Sequence, residues 1–533
     1  MFRPIRRVSA PSLVRRAMPA GWSAIHPLTA VVLTVAVFLQ DPGRTSFDTK
    51  LDLSVDPGGF LSRALHMWNP DGGFGELQNQ AFGYLFPIGP FFALGDAVGL
   101  PTWVVARTWQ ALLLVGAYAG VVLLAGRLRL GGTRARWLGG LAYACCPRML
   151  TTIGPLSAEA LAVTLLPWIL LPLVAPERYG SPRRAAATSA LSVLLLGGAN
   201  GAVTLAVLPL PLLWLLTRES GPVRRRLLAW WTASVAAACL WWFVPLLLLG
   251  RYSPRFLDYI ETAGNTTAGI NPFQVLRGTT HWVAYFNRSG EPWWPAGWEL
   301  ATSPFLVAVT VVVAATGLAG LAHRGMPERR VWLLSVAVGF FTLAAGSAAA
   351  GGEPLQALWR HLLDGPLVAF RNVHKFDPLV RLPLALGLVH VVAVLRMSYV
   401  QGLARRGRVA VRVAATGVAL AVGLSALPLG GSDLNPGPTW SEIPRYWTKA
   451  AAYLAERDPA ARTLLVPSSG FAEYRWGRTI DEPLQPLARA PWAVRNQVPI
   501  GAEGSTRAMD AVEQAVAAGR PAEGLAALLR RSG

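Results

Sequence analysis

The sequence predicts an all-α polytopic membrane protein whose active surface faces outward, and three observations carry that prediction. The first is composition. Of 533 residues, 53% are hydrophobic and 15% charged, where a soluble chain carries roughly 25% charged residues. The second is the length of the apolar runs. A hydrocarbon core of roughly 30 Å takes about 20 helical residues to cross, and such runs recur near 24–40, 103–126, 137–153, 159–175, 186–199, 201–217, 229–249, 301–321, 331–350, 379–396 and 411–428. The third is loop charge, which alternates along the chain. Together they predict a bundle of about eleven transmembrane helices over residues 1–429, followed at 430–533 by a soluble α/β or mixed outer segment.

Taken in order, the spans differ in quality. The segment 137–153 is interrupted by Pro147 and Arg148, and the pair on either side of Gly197, Gly198 and Asn200 is closely spaced. The loops give the orientation. Arginines cluster before the first span (Arg3, Arg6, Arg7, Arg15, Arg16) and again at Arg127, Arg129, Arg134 and Arg136. Further clusters follow at Arg178, Arg183 and Arg184, at Arg218, Arg224, Arg225 and Arg226, at Arg324, Arg329 and Arg330, and at Arg396, Arg405, Arg406, Arg408 and Arg412. The positive-inside rule makes these segments cytoplasmic. The N-terminus is then inside, the last 104 residues (430–533) are outside, and the protein is a multi-pass component of the plasma membrane.

A net charge of +20 does not point to nucleic acid, because the basic residues form no long tract or aromatic-interleaved groove. Anionic lipid headgroups are the plain partner for short basic loops. A small acidic cytosolic protein of the acyl carrier type is a sharper alternative. Cys145, Cys146 and Cys239 all fall within predicted spans, so the pattern gives neither a disulfide framework nor a zinc site. The first apolar run lacks a small-residue cleavage site and reads as a retained anchor.

The outer loops hold the candidate chemistry. The first, 41–102, opens with Asp41, Asp48, Lys50, Asp52 and Asp56 just past the first span. Carboxylates beside a lysine above a membrane suit a reaction needing a base and a phosphate partner, although solvated loop acids look the same. Gln78, Asn79 and Gln80 follow, then Phe82–Leu94, too short and proline-broken to span. A re-entrant or interface-lying helix fits it better. The loop 250–300 carries Asp258, Glu261, His281 and the tryptophans Trp282, Trp293, Trp294 and Trp298, which serve as bilayer anchors or as platforms for sugar rings. The loop 351–378 packs Arg371, His374 and Lys375 against the start of a span that holds Arg381, and cations at that depth are costly unless paired or functional.

The segments FDTKLDLSVDP, QNQAFGYLFPIGPFFALG, FLDYIETAGNTT and FRNVHKFDPLVRLPLALG resemble the membrane region of the actinobacterial α-(1→3)-arabinofuranosyltransferases of cell-wall arabinan synthesis. Order and spacing match across 45–395. The resemblance implies a GT-C-like fold, a decaprenylphosphoryl-D-arabinofuranose donor and a growing arabinan acceptor of arabinogalactan or lipoarabinomannan. Members of that family continue far beyond this length into carbohydrate-binding modules, so 430–533 is expected to be an incomplete domain.

In such an inverting transfer one carboxylate takes the acceptor proton while cations meet the charge developing on the leaving phosphate. Within this class Asp48 is the first choice of base, as the acid nearest the membrane in FDTKLDL, with Asp52 next and Glu261 as a second catalytic or acceptor-binding carboxylate. Asp48 and Asp52, four residues apart, share a face whether the loop is helical or extended and so compete for one role. Asp48, nearer the bilayer, is expected to be the more desolvated of the two. Lys50, Arg371, His374 and Lys375 are expected at the donor phosphate; Gln78, Asn79, Gln80, Trp293 and Trp294 at the sugar or acceptor. Each has a bland alternative, such as Lys50 pairing with Asp48 or Asp52. No nucleotide-binding glycine loop, HExxH or paired CxxC motif stands out. No cofactor is required by the sequence, and a divalent cation on the outer carboxylates stays open. A mannosyltransferase of the same fold and a lipid-linked saccharide flippase are the alternatives. The flippase would place its charges at mid-membrane and often shows inverted repeats.

Overall fold

Helices stand at every predicted span in the computed structural model, which describes residues 23–48, 50–78, 81–253, 261–288, 290–400, 405–496, 501–519 and 523–532. Helix α1 (Ile25–Phe38) leads to an excursion holding α2 (Pro57–Ala64) and α3 (Ile88–Ala97). Then come α4 (Thr102–Arg127), α5 (Thr133–Ala144), α6 (Pro147–Thr152), α7 (Ser157–Val174), α8 (Pro182–Leu194), α9 (Gly201–Val207), α10 (Pro209–Leu216) and α11 (Pro222–Tyr252). A second excursion ends in α12 (Pro295–Thr302), and α13 (Pro304–Ala322), α14 (Arg329–Ala344), α15 (Pro378–Val400) and α16 (Arg405–Leu424) complete the bundle. Among the described residues six helices are long and apolar enough to cross a membrane by length and composition: Thr102–Arg127, Ser157–Val174, Pro222–Tyr252, Pro304–Ala322, Val373–Tyr399 and Arg406–Leu424. Helix α1 and the stretch Gly201–Leu216 are apolar but shorter.

Local chemistry explains the breaks. The predicted span 137–153 is two helices, because Cys146 is extended (ψ 153°) and Pro147 opens α6 at its first position. Proline disfavours helical geometry in the residue before it and has no amide to lose at a helix start. The expected non-spanning segment Phe82–Leu94 is a 3₁₀ turn, Ala81–Leu85, followed by the ten residues of α3; ten helical residues rise about 15 Å, half a bilayer core.

Small residues set the closest crossings. A Cβ on Gly320 of α13 would stand 1.9 Å from the Gly387 carbonyl oxygen of α15, and one on Gly387 2.2 Å from that of Gly317. Between apolar surfaces in lipid there is no hydrophobic drive to association, so close backbone approach supplies the dispersion contact. In the same way Gly116 and Gly120 of α4 let α7 come close enough for Trp168 Nε1 to donate to the Gly116 carbonyl at 2.9 Å.

The segment after α16 does not stand apart from the loop that follows α1. It contains α17 (Arg445–Arg457), α18 (Glu503–Ala518) and four short strands. Numbering strands along the chain, with β1 (Trp68–Asn69), β2 (Glu76–Leu77), β3 (Asn287–Arg288) and β4 (Glu291–Pro292) in the two excursions, these are β5 (Thr463–Leu465), β6 (Ala472–Tyr474), β7 (Gly477–Ile480) and β8 (Trp492–Val494). Strand β5 runs parallel to β8 with Thr463 opposite Trp492, and β6 antiparallel to β7 with Tyr474 opposite Gly477. Thr45 and Trp440 exchange both backbone hydrogen bonds, at 2.6 and 2.8 Å, and the Trp492 amide donates to the Asp71 carbonyl at 2.9 Å. Below them, fully buried Arg107 donates to the Gln40 carbonyl at 3.0 Å and to Asn435 Oδ1 at 3.1 Å. Gly154 admits the Leu434 carbonyl, which a Cβ there would approach to 1.8 Å.

Candidate active site

The start of α7 gathers several of the chain's buried charges. Asp48 Oδ1 accepts from the Ser157 amide at 3.0 Å, and its other oxygen accepts from the Ser157 hydroxyl, which in turn accepts from Trp109 Nε1 at 3.0 Å. Ser157 is the first residue of α7, and the residue before it is Leu156, which cannot cap. Asp48 therefore supplies from a distant loop the oxygen that satisfies an orphan amide and faces the positive end of the helix.

Two residues on, Glu159 lies in a sealed cluster with Arg148, His281 and His374, each 4% exposed or less. Arg148 Nη2 is 2.5 Å from Glu159 Oε2, while the Nε2 atoms of His374 and His281 lie 3.4 and 3.7 Å from the same oxygen. Asn200 Nδ2 donates to Oε1 at 3.3 Å. The two imidazoles stack with centroids 3.8 Å apart, and Trp294 packs on His281 at 4.6 Å. Burial pulls the His281 imidazole down to about 4, against the opposing pull of Glu159. Glu159 and Arg148 were not among the predicted site residues. Their signal was present in the sequence as two opposite charges inside neighbouring apolar runs, where an ion is expensive unless partnered.

Beside the cluster lies Glu261, whose Oε2 accepts from Asn372 Nδ2 at 2.6 Å; Asn372 Oδ1 accepts from Trp282 Nε1 at 2.7 Å. Burial raises the Glu261 carboxyl above its ordinary value; the Lys375 charge, the Asn372 hydrogen bond and Arg371 partly offset this. Lys375 is half-exposed; its backbone amide donates to the Asn372 carbonyl at 3.2 Å, and its side-chain charge acts on Glu261. Arg371 is 3% exposed and committed to protein: it pairs with Asp364 at 3.2 Å and donates to the Glu261 carbonyl. Of the four cations expected at a phosphate, Lys375 is thus half-exposed beside Glu261, Arg371 braces the loop, His374 is enclosed with Glu159, and Lys50 is paired with Asp481.

Lys50 and Asp52 open on a different chamber. A cavity of about 170 Å³ is lined by Lys50, Asp52, Arg63, Glu76, Gln78 and Gln485, among others. Asp52 is 1% exposed, paired with Arg63 at 2.8 Å and hydrogen-bonded by Gln485 Nε2 at 2.5 Å. Burial and the neighbouring Asp481 charge raise its carboxyl, with Arg63, Lys50 and Gln485 opposing. Lys50 pairs with Asp481 at 3.7 Å, not with Asp48 or by direct contact with Asp52. Gln78 spends its amide on the Arg63 and His66 carbonyls, at 2.8 and 2.7 Å.

Two expectations are corrected here. Asp48 and Asp52 do not share a face or compete for one proton, because Asp48 is drawn to α7 while Asp52 opens the one-turn helix Asp52–Val55 and turns to Arg63. Nor is Asp48 the more desolvated acid: Asp52 is buried and Asp48 half-buried. Roofing by the segment around Gln485, rather than depth near the bilayer, decides their burial.

Trp293 and Trp294 part company as well. Trp293 lines an open cleft of about 1010 Å³ with Tyr285, Phe286, Arg288, Phe471 and Tyr474. Trp294 is 5% exposed and belongs to the packing between Phe47, Leu51 and Trp440, so it offers no open ring to a sugar. Asn79 and Gln80 lie outside the described residues, as does Asp258.

Relatives of known name bear on this geometry. The family described as alpha-(1->3)-arabinofuranosyltransferase, N-terminal GT-C domain, matches residues 32–533. An alpha-(1->3)-arabinofuranosyltransferase of Mycolicibacterium smegmatis is 42% identical over 95% of this chain and 36% of its own length. One of Mycobacterium tuberculosis is 40% identical over 95% of the chain and 37% of its own length. The cryo-EM structure of arabinofuranosyltransferase AftD from Mycobacteria superposes with a TM-score of 0.78 at 37% identity, over 96% of this chain and 34% of that one. The chain thus spans little more than a third of the length of these relatives. A match over nearly its whole length, in sequence and in fold, places the chain in the family of the α-(1→3)-arabinofuranosyltransferase N-terminal GT-C domain.

Proposed function

We propose that the chain is the bond-breaking part of a membrane arabinofuranosyltransferase that takes its sugar from decaprenylphosphoryl-D-arabinofuranose and passes it to a growing cell-wall arabinan. The named relatives support the activity. The assignment within the chain rests on one observation: the carboxyl of Glu261 has a raised proton affinity, and the half-exposed Lys375 lies near enough for its charge to act on it.

In this reading the acceptor hydroxyl attacks the anomeric carbon as the sugar–phosphate bond breaks with inversion. Glu261 takes the hydroxyl proton, and Lys375 meets the charge that collects on the departing lipid phosphate. Asn372 fixes the Glu261 carboxylate and is fixed by Trp282. Asp48 anchors the first loop to α7 and orients the site from below, while Asp52, Lys50 and Gln78 line the chamber beside it. The cleft at Trp293 has the aromatic rings and polar edges that a polysaccharide chain packs against. About eleven crossings, an inner N-terminus and an outer segment from residue 430 complete the proposal.

The test supplies purified chain with a short arabinan and, in turn, radiolabelled decaprenylphosphoryl-arabinose or decaprenylphosphoryl-mannose. Labelled arabinan from the first donor alone is expected. Transfer from the mannose donor alone would make the chain a mannosyltransferase, and transfer from neither removes the reading.

A further inference from the structure

Among the described residues, the cluster formed by Glu159 near the start of α7 and His374 just before α15 leaves both ring nitrogens of His281 and of His374 buried without a hydrogen-bond partner. It is their Nε2 atoms, facing Glu159, that bear on a metal; the unsatisfied Nε and Nη1 of Arg148 are donors that a cation does not satisfy. Buried polar atoms in a native fold are nearly always satisfied, and a group of orphans at one place marks a missing ligand. The distances say which kind. At 3.4 and 3.7 Å from Glu159 Oε2, the imidazole Nε2 atoms are too far for a good hydrogen bond. They match the edge of a donor tetrahedron, about 3.3 Å when metal–ligand bonds are about 2.0–2.1 Å. One donor atom from each of Glu159, His281 and His374 lies within 4.8 Å of the other two.

We propose that Glu159, His281 and His374 form a binding site for one divalent transition-metal ion of the zinc type. Two imidazoles and a carboxylate are a borderline donor set that suits such ions, whereas calcium and magnesium take oxygen donors. The site uses none of the first-loop acids, although a divalent cation on the outer carboxylates was left open by the sequence. Arg148 holds the place of the metal's charge: its guanidinium neutralises Glu159 in the ion-free chain and must withdraw from Oε2 when the ion enters. The ion ties the start of α7, the loop at 281 and the turn Val373–Phe376 together beside Glu261 and Lys375. The proposal does not rest on the glycosyl-transfer reading, because its test measures metal and not product.

Purified chain is stripped with a chelator and titrated with Co²⁺ and Zn²⁺, following the visible absorption of the bound cobalt and the competition by zinc. One equivalent is expected, with a cobalt spectrum of low coordination number. His281→Ala and His374→Ala should each weaken binding by at least roughly 100-fold, the upper range seen even for outer-shell changes, and alter the spectrum. Glu159→Gln leaves Arg148 unpaired and risks the fold, so the double variant Glu159→Gln with Arg148→Met replaces it and should also lose the ion. Arg148→Met alone should bind more tightly and gain more thermal stability from Zn²⁺ than the unaltered chain. Absence of a bound equivalent, or retention of the same affinity and spectrum in both histidine variants, overturns the site; Arg148→Met that gains nothing from Zn²⁺ overturns the exchange with Arg148.

Discussion

At the scale of the residue, the question is which carboxyl can accept a proton, and the partners of each acid decide it. Asp48 spends both oxygens on Ser157, and Asp52 divides its own between Arg63 and Gln485. Glu261 has one oxygen on Asn372 and a carboxyl that burial has made more basic. Glu261→Gln should therefore lower kcat by roughly 10²-fold or more, while Asp48→Asn and Asp52→Asn should act mainly through stability and donor affinity. Single-turnover transfer against donor binding separates the two. The sign of the pH effect follows. A base works when deprotonated, so kcat/KM should rise through a carboxyl value above the ordinary 4.5. Lys375 favours the carboxylate and lowers that value; in Lys375→Met the acid limb should move to higher pH, and a limb that stays or moves down refutes the pairing. Glu261, His374 and Lys375 were legible as outer-loop charges next to a span. The separation of Asp48 from Asp52 was not, because the partners that divide them, Ser157 and Gln485, are 109 and 433 residues away.

Elements were more legible than side chains. Apolar runs marked a helix at each predicted span, since length and hydropathy act locally, and six of the described helices are long and apolar enough to cross a membrane. The division at Pro147 was visible as a weak span and resolved as two helices for the backbone reason that proline imposes. What the runs did not reveal is which helices touch. Helix α13 meets α15 where Gly317, Gly320 and Gly387 leave room for carbonyl oxygens, and single glycines in apolar sequence carry no pairing code. Gly320→Val should separate the two helices at a cost of about 1–3 kcal/mol and lower the thermal midpoint of detergent-solubilised protein, leaving residual activity at low temperature. Gly417, on α16 with nothing within 4 Å of a Cβ, is the control position where Ala should cost little.

For the molecule as a whole, orientation is the claim most open to direct test. The native cysteines, Cys145, Cys146 and Cys239, are all buried, so labelling starts from a low background. Introduced at exposed positions, Glu291→Cys should react with an impermeant thiol reagent from outside and Arg225→Cys should not. The reverse pattern would invert the bundle. The outer segment was expected as the start of a separate domain, yet its described part up to Asn496 is built into the first loop through Trp440, Asp481, Gln485 and Trp492. Composition shifts mark where a chain leaves the membrane; they do not say whether it then returns to earlier residues.

That return has a consequence in time. Asp52 is synthesised 433 residues before the glutamine that hydrogen-bonds it, an interval of roughly 20–90 s at ordinary rates of elongation. Throughout it the first loop is charged and unroofed, while the helices that follow are still being made. A chain halted between Lys375 and Gln485 already carries Asp48, Glu159, Glu261 and Lys375 but has no lid over Lys50 and Asp52. The bundle can thus be in place while the chamber beside it is still open, and the chamber closes only when the segment that holds Gln485 returns to the first loop.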